Sequence, residues 1–387
     1  MSNNNEMKQN AFTIIDLIVV IVVVVVITGL VFPSLQASRE SARRTACTNQ
    51  LKRLGVALKQ YHDVHNILPS HKFGPGSNDR ISAFTMLLVH IGHENIYSEI
   101  AEAKWQVPWR KEKVDSKGKP VLDADEKQIP GSYCTMIPEF LCPTDPAGFD
   151  RVPFMLGYNN YVFSHGDWIT GQNEKFSRGV FTPGVWHTFD DVVDGVSNTL
   201  AMSERCTATY RDRQVYSAEI RGDTNKGIQE VPEQISIRGG VRLDMKEPIS
   251  EDITKQNLKL CFDTAKDGMF IGDENILKIN REWSGGRWAD GQHFFTITNT
   301  IMPPNGASCA TRTNDQSPLL APPTSYHLTG VNALMLDGQV RFISDNIDYG
   351  NDYTGKTCVK EGQSPFGVFG ALGSIADTKQ PVNTEVK

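Results

Sequence analysis

The chain lacks the short motifs that identify the commoner enzyme and metal-binding classes. It contains no Gly-x-Ser-x-Gly elbow, no His-Glu-x-x-His pair and no glycine-rich phosphate loop, which argues against the hydrolases, zinc proteases and nucleotide-binding enzymes that use them. Its seven cysteines include no Cys-x-x-Cys pair, so zinc ribbons and thioredoxin-type motifs are not expected. No internal repeat is found. We therefore expect neither enzymatic activity nor a cofactor.

An excess of positive charge is also missing. The chain carries 39 Lys and Arg against 45 Asp and Glu, a net charge of −6, which argues against a nucleic-acid partner. With 387 residues, one or two domains are expected. A hydrophobic content of 39% with 32 Gly and 20 Pro predicts a real core with frequent turns.

What stands out is a long apolar run near the N-terminus. Residues 12–32 are interrupted only by Thr13, Asp16, Thr28 and Gly29, and a helix of this length spans about 30 Å, the thickness of a bilayer core. We therefore predict a transmembrane helix over 12–35. Asp16 is a lone carboxylate inside that run, and a charge placed in a membrane helix indicates a functional site.

Two other kinds of segment also contain apolar runs. A buried core strand is usually only about 5–6 residues long, which is much shorter. A cleavable secretory signal has an apolar region of about 7–15 residues after a positive N-terminus, whereas here Lys8 is offset by Glu6. Residues 35–37, Leu-Gln-Ala, are the best downstream cleavage site and do not match Ala-x-Ala.

Beyond the apolar run the pattern becomes that of an amphipathic helix. Pro33 need not end the helix, because membrane helices tolerate proline. Apolar residues then recur at steps of four, three, four and three, which places them on one helix face: Cys47, Leu51, Leu54, Leu58 and Tyr61. We predict one helix from about residue 13 to 65, with a membrane half over 12–35 and an amphipathic half over 36–65 that packs on a globular domain.

The remaining sequence predicts an α+β domain over 66–375, in which a helix packs on an antiparallel, β-rich core. A second helix is predicted within 81–100, and 111–128 is predicted to be a loop or edge hairpin. Short strands are predicted at 158–163, 179–181, 198–202, 234–237 and 294–301. The polar tail 376–387 is predicted to be disordered.

The clearest local structure is a hairpin over 331–343. We predict strands at 331–336 and 339–343, joined by Asp337 and Gly338 in a two-residue type I′ turn. His327 precedes Asp337 by ten positions. The two are candidates for a metal pair or a catalytic dyad, and the alternative is structural, with Asp337 serving the turn and His327 packing at the start of the strand.

The N-terminal sequence AFTIIDLIVVIVVVVVITGLVFP resembles that of type IV prepilins and type II secretion pseudopilins. The resemblance implies that a prepilin peptidase removes the leader 1–11 by cutting between Ala11 and Phe12, after which the new amine is methylated. Asp16 then takes the fifth mature position, where glutamate is usual, and Pro33 the twenty-second. The chain departs from the pattern at Asp16 and at Ala11, where glycine is usual.

There is a physical reason for a carboxylate at this position. In a filament of packed helices, Asp16 can neutralise the N-terminal ammonium of a neighbouring subunit, and a paired charge is tolerated in apolar surroundings where an isolated charge is not. We therefore expect Asp16 to be needed for assembly.

A second resemblance covers most of the chain. The His-x(nine)-Asp-Gly pattern of His327, Asp337 and Gly338 resembles the C-terminal motif of a large bacterial family that combines a prepilin-type N-terminus with a domain of unknown function, numbered fifteen fifty-nine. Other segments resemble further elements of the same family, in the same order: 39–63, 140–146, 194–204 and 364–374. This resemblance implies a pilin-like fold, and no activity is established for the family.

Together, the resemblances imply a pseudopilin-like structural subunit that assembles through its N-terminal helix into a pilus or secretion-associated filament. The expected partners are inner-membrane lipid, the prepilin peptidase, like subunits and the pilus or secretion assembly machinery. The expected location is the bacterial inner membrane, with a single span and the C-terminal domain extracytoplasmic. The alternative is a membrane-anchored binding module that never polymerises, for a ligand such as surface polysaccharide.

The charges after the apolar run favour the opposite orientation. Five basic residues follow it, with only Glu40 against them: Arg39, Arg43, Arg44, Lys52 and Arg53. The positive-inside rule would keep this side cytoplasmic. The extracytoplasmic orientation therefore rests on the resemblance.

Two other groups of side chains are weak candidates for metal sites. Oxygen-bearing residues cluster in one predicted turn, where they could hold calcium, although turn chemistry alone explains them: Asp190, Asp191, Asp194 and Asn198. Histidines on the two predicted helices lie three positions apart, a spacing at which zinc could bind, although surface or interface histidines are commoner: His62 with His65, and His90 with His93 and Glu94.

The cysteines leave the disulfide pattern open. If the domain is extracytoplasmic, disulfides can form, and an odd count leaves at least one free thiol or an intermolecular bond. Cys134 with Cys142 would close a local loop, and Cys47 with Cys142 would join the helix to the domain. The sequence does not choose between these pairs.

Overall fold

The structure is a computed structural model. It describes residues 14–74, 79–105, 107–115, 117–146, 156–169, 176–207, 237–238, 241–242, 245, 256–266, 268–271, 279–280, 284–311, 315–350 and 353–377. In the first helix it describes the backbone but not the side chains of residues 16 and 30–37. The predicted leader, with Ala11 and Phe12, and most of the predicted tail lie outside the described residues.

One helix of 52 residues, α1 (Ile14–His65), opens the described chain. It passes through Pro33 and matches the predicted helix to within one residue. The predicted stripe of apolar residues in its second half is buried, as expected from its period: Cys47, Leu51, Leu54, Leu58 and Tyr61. Gly55 lies against the sheet, since a Cβ there would lie 2.9 Å from Leu334 Cδ1.

The first half of α1 is different, because its described side chains are apolar and exposed. Each residue from Ile14 to Ile27, with residue 16 left out, exposes between 49% and 78% of its surface. Among the described residues, no helix is both long and apolar enough to span a membrane. The predicted membrane half therefore stays a prediction, while the helix itself is observed.

The other described α-helices are short: α2 (Ala83–Leu87), α3 (Glu94–Glu102), α4 (Leu258–Phe262), α5 (His293–Thr296) and α6 (Gly367–Gly373). The single helix predicted within 81–100 is thus wrong in its continuity. After α2 the chain tightens into a 3₁₀ turn, Leu88–Ile91, and then breaks at Gly92, whose φ of +86° is left-handed. Such a residue ends a helix, and glycine adopts it without strain.

The described strands form two larger sheets and two small hairpins. The strands are β1 (Lys72–Phe73), β2 (Ile81–Ser82), β3 (Tyr161–Ser164), β4 (Leu200–Glu204), β5 (Val241–Arg242), β6 (Ala265–Lys266), β7 (Met269–Phe270), β8 (Ile279–Asn280), β9 (Ile297–Thr298), β10 (Cys309–Ala310), β11 (Leu319–Leu320), β12 (Gly330–Met335) and β13 (Val340–Ser344).

The larger sheet has the order β13-β12-β4-β3-β9, and the second sheet has the order β11-β10-β5-β8. Most pairs are antiparallel, as predicted, but β3 with β9 and β10 with β5 are parallel. The fold is therefore α+β with mixed sheets. The prediction of a strand over 294–301 is corrected in its first half, which forms α5 instead. No strand forms at 179–181, whose residues are nevertheless buried.

The long helix lies on the larger sheet and shares its main core. That core joins the buried stripe of α1 to Phe84, Phe140, Phe163 and Trp288. A second core gathers around the Cys261–Cys309 disulfide and Phe366. Burial of the α1 stripe, at about 25 cal/mol per Å² of apolar surface, is what holds this half of the helix on the sheet.

The C-terminal hairpin of β12 and β13 differs from the predicted turn. Only Gly338 has a positive φ, +89°, whereas a type I′ turn needs positive φ at both central residues. The Gly338 N–H donates to the Met335 carbonyl at 3.0 Å, and the Met335 N–H donates to the Gln339 carbonyl at 2.8 Å. The connection is therefore a three-residue loop that ends in a left-handed glycine.

Candidate functional site around His327

His327 lies in the loop that enters β12 and is almost completely buried, with 1% of its surface exposed. Its N–H donates to the Ser325 hydroxyl at 3.2 Å, which fixes the backbone before the strand. Each ring nitrogen faces a carboxylate. Nδ1 lies 2.8 Å from Glu40 Oε1, and Nε2 lies 3.3 Å from Glu204 Oε1. The imidazole is thus held between two acids from distant parts of the chain.

These carboxylates decide the charge of the ring. Burial alone lowers the pKa of His327, because a charged group loses solvation. The hydrogen bond and charge of Glu204, followed by those of Glu40, outweigh burial and raise the pKa above the ordinary value of 6.5. The two carboxylates therefore favour the protonated ring, which would donate from both nitrogens.

Glu204 is the buried member of the pair. It is the last residue of β4, with 2% of its surface exposed. Both of its oxygens accept from Asn332 on the neighbouring strand β12, one from the backbone N–H and one from Nδ2, each at 2.8 Å. Together with His327, these donors satisfy the carboxylate, which is the condition under which a buried charge is tolerated.

Glu40 is on α1, N-terminal to the buried stripe, and a third of its side chain remains exposed. It is seven positions before Cys47, which puts both residues on the same face of the helix. Further along the helix, the Arg44 guanidinium lies 3.7 Å from the centre of the Phe342 ring on β13. The helix thus meets the sheet through polar contacts where its exposed half gives way to its buried half.

A disulfide completes the site. Cys47 on α1 is bonded to Cys142, with the Cα atoms 5.0 Å apart, within the usual range. The Cys142 Sγ lies 3.8 Å from His327 Nε2. This is one of the two pairings that the sequence left open. The Cys134–Cys142 alternative is wrong, since the Cys134 thiol instead donates to the Lys111 carbonyl at 3.3 Å.

The four buried groups lie close enough to share a ligand. One atom from each of Cys47, Cys142, Glu204 and His327 lies within 4.8 Å of the others. No other group of three or more such side chains is found among the described residues. Thiolate sulfur, imidazole nitrogen and carboxylate oxygen are the donor types that zinc and similar metals take, but the two sulfurs here are bonded to each other in the disulfide.

His327 and Asp337 do not form a pair. They lie at opposite ends of β12, and the Asp337 carboxylate accepts from the Gln339 N–H at 2.8 Å within the turn. The metal-pair and dyad interpretations of these two residues are therefore corrected, because the histidine has carboxylate partners elsewhere. For Asp337 the structural alternative describes what is observed.

Three of the four candidate calcium residues make hydrogen bonds with backbone groups. Asp191 accepts from the Thr188 N–H at 2.6 Å in a capping box around the 3₁₀ turn Phe189–Asp191. Asp194 accepts from the Asp377 N–H, and burial raises its pKa. The Asn198 side chain donates to the Asp194 carbonyl at 3.1 Å. None of these, nor Asp190, belongs to the metal-competent group found in the described part of the chain.

The helix histidines have separate aromatic or acidic neighbours. His62 lies 4.1 Å from the Phe189 ring, and His65 lies 4.4 Å from the Tyr61 ring. His93 Nε2 lies 3.0 Å from Glu139. The spacing of three positions thus does not create a zinc site among these residues.

Sequence reasoning singled out His327 and Cys47 with Cys142 but missed Glu40 and Glu204. The signal for Glu40 is its spacing of seven from Cys47, which places an acid on the face of the apolar stripe two turns before the stripe begins. The signal for Glu204 is a charge at the end of a strand whose five residues are otherwise uncharged. Three segments singled out by resemblance, 39–63, 140–146 and 194–204, contribute Glu40, Cys47, Cys142 and Glu204 to one place.

The family comparison fits this convergence. The chain matches the family described as "Protein of unknown function (DUF1559)" over residues 36–350, a range that contains all five residues of the site. No curated protein and no solved structure matches the chain.

Proposed function

From the premise that the chain belongs to the DUF1559 family of proteins of unknown function, we propose that it is a pseudopilin-like structural subunit. In this proposal a prepilin peptidase cuts it between Ala11 and Phe12. Its N-terminal helix then assembles with like subunits in a pilus or secretion-associated filament. The domain lies outside the inner membrane and decorates the filament.

The observation that supports this most directly is the two-part character of α1. The described side chains from Ile14 to Ile27 are apolar and exposed, whereas one face of the second half is buried in the domain. An exposed apolar surface of this extent is unstable in water and calls for a partner. Lipid covers such a surface before assembly, and neighbouring helices cover it within a filament.

The contacts between α1 and the domain, where the two halves of the helix meet, suit a subunit that transmits force. Within ten residues of helix, Glu40 pairs with His327, Arg44 packs on Phe342, and Cys47 is covalently linked to Cys142. A force applied to the apolar half of α1 would therefore reach the domain through a covalent bond. A simple membrane anchor needs no such join.

The basic residues that follow the apolar run have neighbours in the domain. Arg44 lies over Phe342, and Arg53 Nη1 lies 3.2 Å from Glu139 Oε1. These contacts give a structural reason for two of the five positive charges, apart from membrane orientation. The extracytoplasmic orientation remains part of the proposal.

The mature N-terminus is the first test. The full chain is expressed with a prepilin peptidase, and the N-terminal peptide is measured by mass spectrometry. An N-methylated Phe12 is expected. A chain that keeps Met1 would support the non-polymerising anchored module, and a chain that starts near Ser38 would show a secretory signal.

Assembly is tested separately with Asp16→Ala. The variant is expected to insert into the membrane but to be absent from sheared filaments, because the neighbouring ammonium loses its counter-charge. Asp63→Ala is the matched control, since Asp63 lies on the same helix and only makes an exposed pair with Lys59. Normal incorporation of Asp16→Ala would refute the assembly role.

A further inference from the structure

We propose that reduction of the Cys47–Cys142 disulfide converts the site into a binding site for a divalent transition metal such as Zn²⁺. The two thiolates, His327 Nε2 and a Glu204 carboxylate oxygen would be the four ligands, and Glu40 would orient the imidazole through Nδ1. The inference concerns a state of this domain and stands whether or not the helix assembles into a filament.

Two distances from His327 Nε2 already match a tetrahedral site. With metal bonds of about 2.0–2.3 Å, ligand atoms in a tetrahedron lie about 3.3–3.8 Å apart. His327 Nε2 lies 3.3 Å from Glu204 Oε1 and 3.8 Å from Cys142 Sγ. All four ligand atoms lie within 4.8 Å of one another, and the two sulfurs, which are bonded to each other in the disulfide, would have to separate.

The fold also fixes the ligands from behind. Asn332 donates to both oxygens of Glu204, the Cys142 N–H donates to Asn160 Oδ1 at 3.0 Å, and the His327 N–H donates to Ser325 Oγ. Such outer contacts orient metal ligands and are as much a part of a metal site as the ligands themselves. The site is thus built before any metal arrives.

Glu40 supplies the contact that metal-bound histidines usually have. A histidine that binds a metal through one ring nitrogen commonly donates its other N–H to a carboxylate, which fixes the tautomer. His327 Nδ1 lies 2.8 Å from Glu40 Oε1, while Nε2 faces the buried ligand atoms. The ring is therefore already turned in the direction that metal binding requires.

The reaction balances with a dithiol reductant. The reductant gives two electrons and two protons to the Cys47–Cys142 disulfide, and becomes a disulfide itself while the two cysteines become thiols. Binding of one M²⁺ then releases one proton from each thiol, and a third from His327 Nε2 when the imidazole is protonated. The site thus passes from a disulfide beside a histidine to a Cys₂-His-Glu metal site in which Nε2 binds the metal instead of a proton.

The two states suit different compartments. A reducing cytosol favours thiols, whereas the periplasm and cell surface favour the disulfide. In both states Cys47 joins α1 to the domain, through the disulfide in one and through the metal in the other. The metal would therefore hold the helix on the sheet in a reducing environment, where the disulfide cannot do so.

Metal uptake by the full chain in detergent tests the proposal. The protein is reduced with a phosphine under anaerobic conditions and titrated with Co²⁺, whose thiolate complexes absorb in the near ultraviolet and visible. We expect one equivalent bound with thiolate-to-cobalt absorption, displacement by Zn²⁺, and no such uptake by the oxidised protein. No thiolate–cobalt absorption in the reduced, folded protein would overturn the proposal.

Variants locate the uptake. His327→Gln is expected to abolish it, and Glu40→Gln to weaken affinity by about 10–100-fold through loss of the orienting contact. Cys134→Ser is the matched control and should bind as the parent does. If His327→Gln fails to fold by circular dichroism, the Glu40→Gln result decides. Unchanged affinity in Glu40→Gln would refute the site.

Alkylation gives an independent readout. In the reduced protein, bound Zn²⁺ should protect Cys47 and Cys142 from iodoacetamide, as mapped by mass spectrometry, without changing the labelling of Cys134. Protection confined to Cys261 and Cys309, the other disulfide pair, would show that the metal binds elsewhere and would overturn the assignment.

Discussion

Replacing Glu204 by glutamine should destabilise the domain far more than the same change at Glu40, although both acids pair with His327. The substitution keeps the size of the side chain and removes its charge. Glu204 is buried, with 2% of its side chain exposed, whereas a third of Glu40 is exposed. The two variants therefore compare a buried with a partly solvated partner of the same histidine.

The expected magnitudes follow from that difference. Removing one partner of a buried ion pair costs about 3–5 kcal/mol, because the remaining charge is left uncompensated. At Glu204 the amide also has a single acceptor oxygen for the two donors of Asn332, which leaves one donor unpaired. A solvated pair contributes about 0–1 kcal/mol, so Glu40→Gln should cost about 1 kcal/mol.

The pH dependence supplies a second readout. The pKa of His327 is raised in the folded protein, so its stabilisation is complete below the unfolded value of about 6.5 and is lost as the pH rises through the folded value. The wild-type protein should therefore lose more stability between pH 6 and pH 9 than Glu204→Gln does. The cost of the variant should be largest at low pH.

The measurement is guanidinium chloride unfolding of the oxidised protein at both pH values, comparing midpoints at constant slope. Glu40→Gln serves as the internal control, because it makes the same chemical change at the other carboxylate partner of His327. Equal costs for the two glutamine variants, or a cost for Glu204→Gln that grows from pH 6 to pH 9, would refute the charge assignment at His327.

Two further predictions concern the covalent and backbone constraints. Opening either disulfide by paired alanine substitution should lower the free energy of unfolding, because it removes a loop closure of 95 residues for Cys47 with Cys142 and of 48 residues for Cys261 with Cys309. The expected costs are roughly 4.7 and roughly 4.1 kcal/mol. Unfolding midpoints under non-reducing conditions test this, and a cost below about 1 kcal/mol for either pair would contradict it. Gly338→Ala should cost about 1–2 kcal/mol, because its φ is +89° and a Cβ there meets nothing within 4 Å, so only the backbone resists; a melting temperature equal to the wild type would contradict that account.

The long helix was predictable because its signals are local. A repeat of apolar residues at steps of three and four identifies a buried face without knowledge of the partner, and Cys47, Leu51, Leu54, Leu58 and Tyr61 are all buried. The hairpin over β12 and β13 was found for the same reason, since alternation and the Asp-Gly pair act over short distances. Its turn type was not, because an Asp-Gly pair also fits the last two positions of a three-residue loop.

The site was only partly predictable because it is built from long-range contacts. Glu40 and His327 lie 287 positions apart in the sequence, and nothing local indicates that they meet. The parallel pairing of β3 with β9 was missed for a similar reason, since strand direction is set by the path of the intervening chain. His327 was singled out by its motif, but its partners come from the helix and the sheet rather than from Asp337.

The position of the disulfide on α1 also sets a length. Leu35, the last residue of the predicted membrane half, and Cys47 are twelve positions apart, which is about 18 Å along an α-helix. In a filament whose core is formed by the apolar halves, this stretch would set the distance between the core and the domain. Its length would fix the radius at which the domains sit and the space between neighbouring domains around the filament.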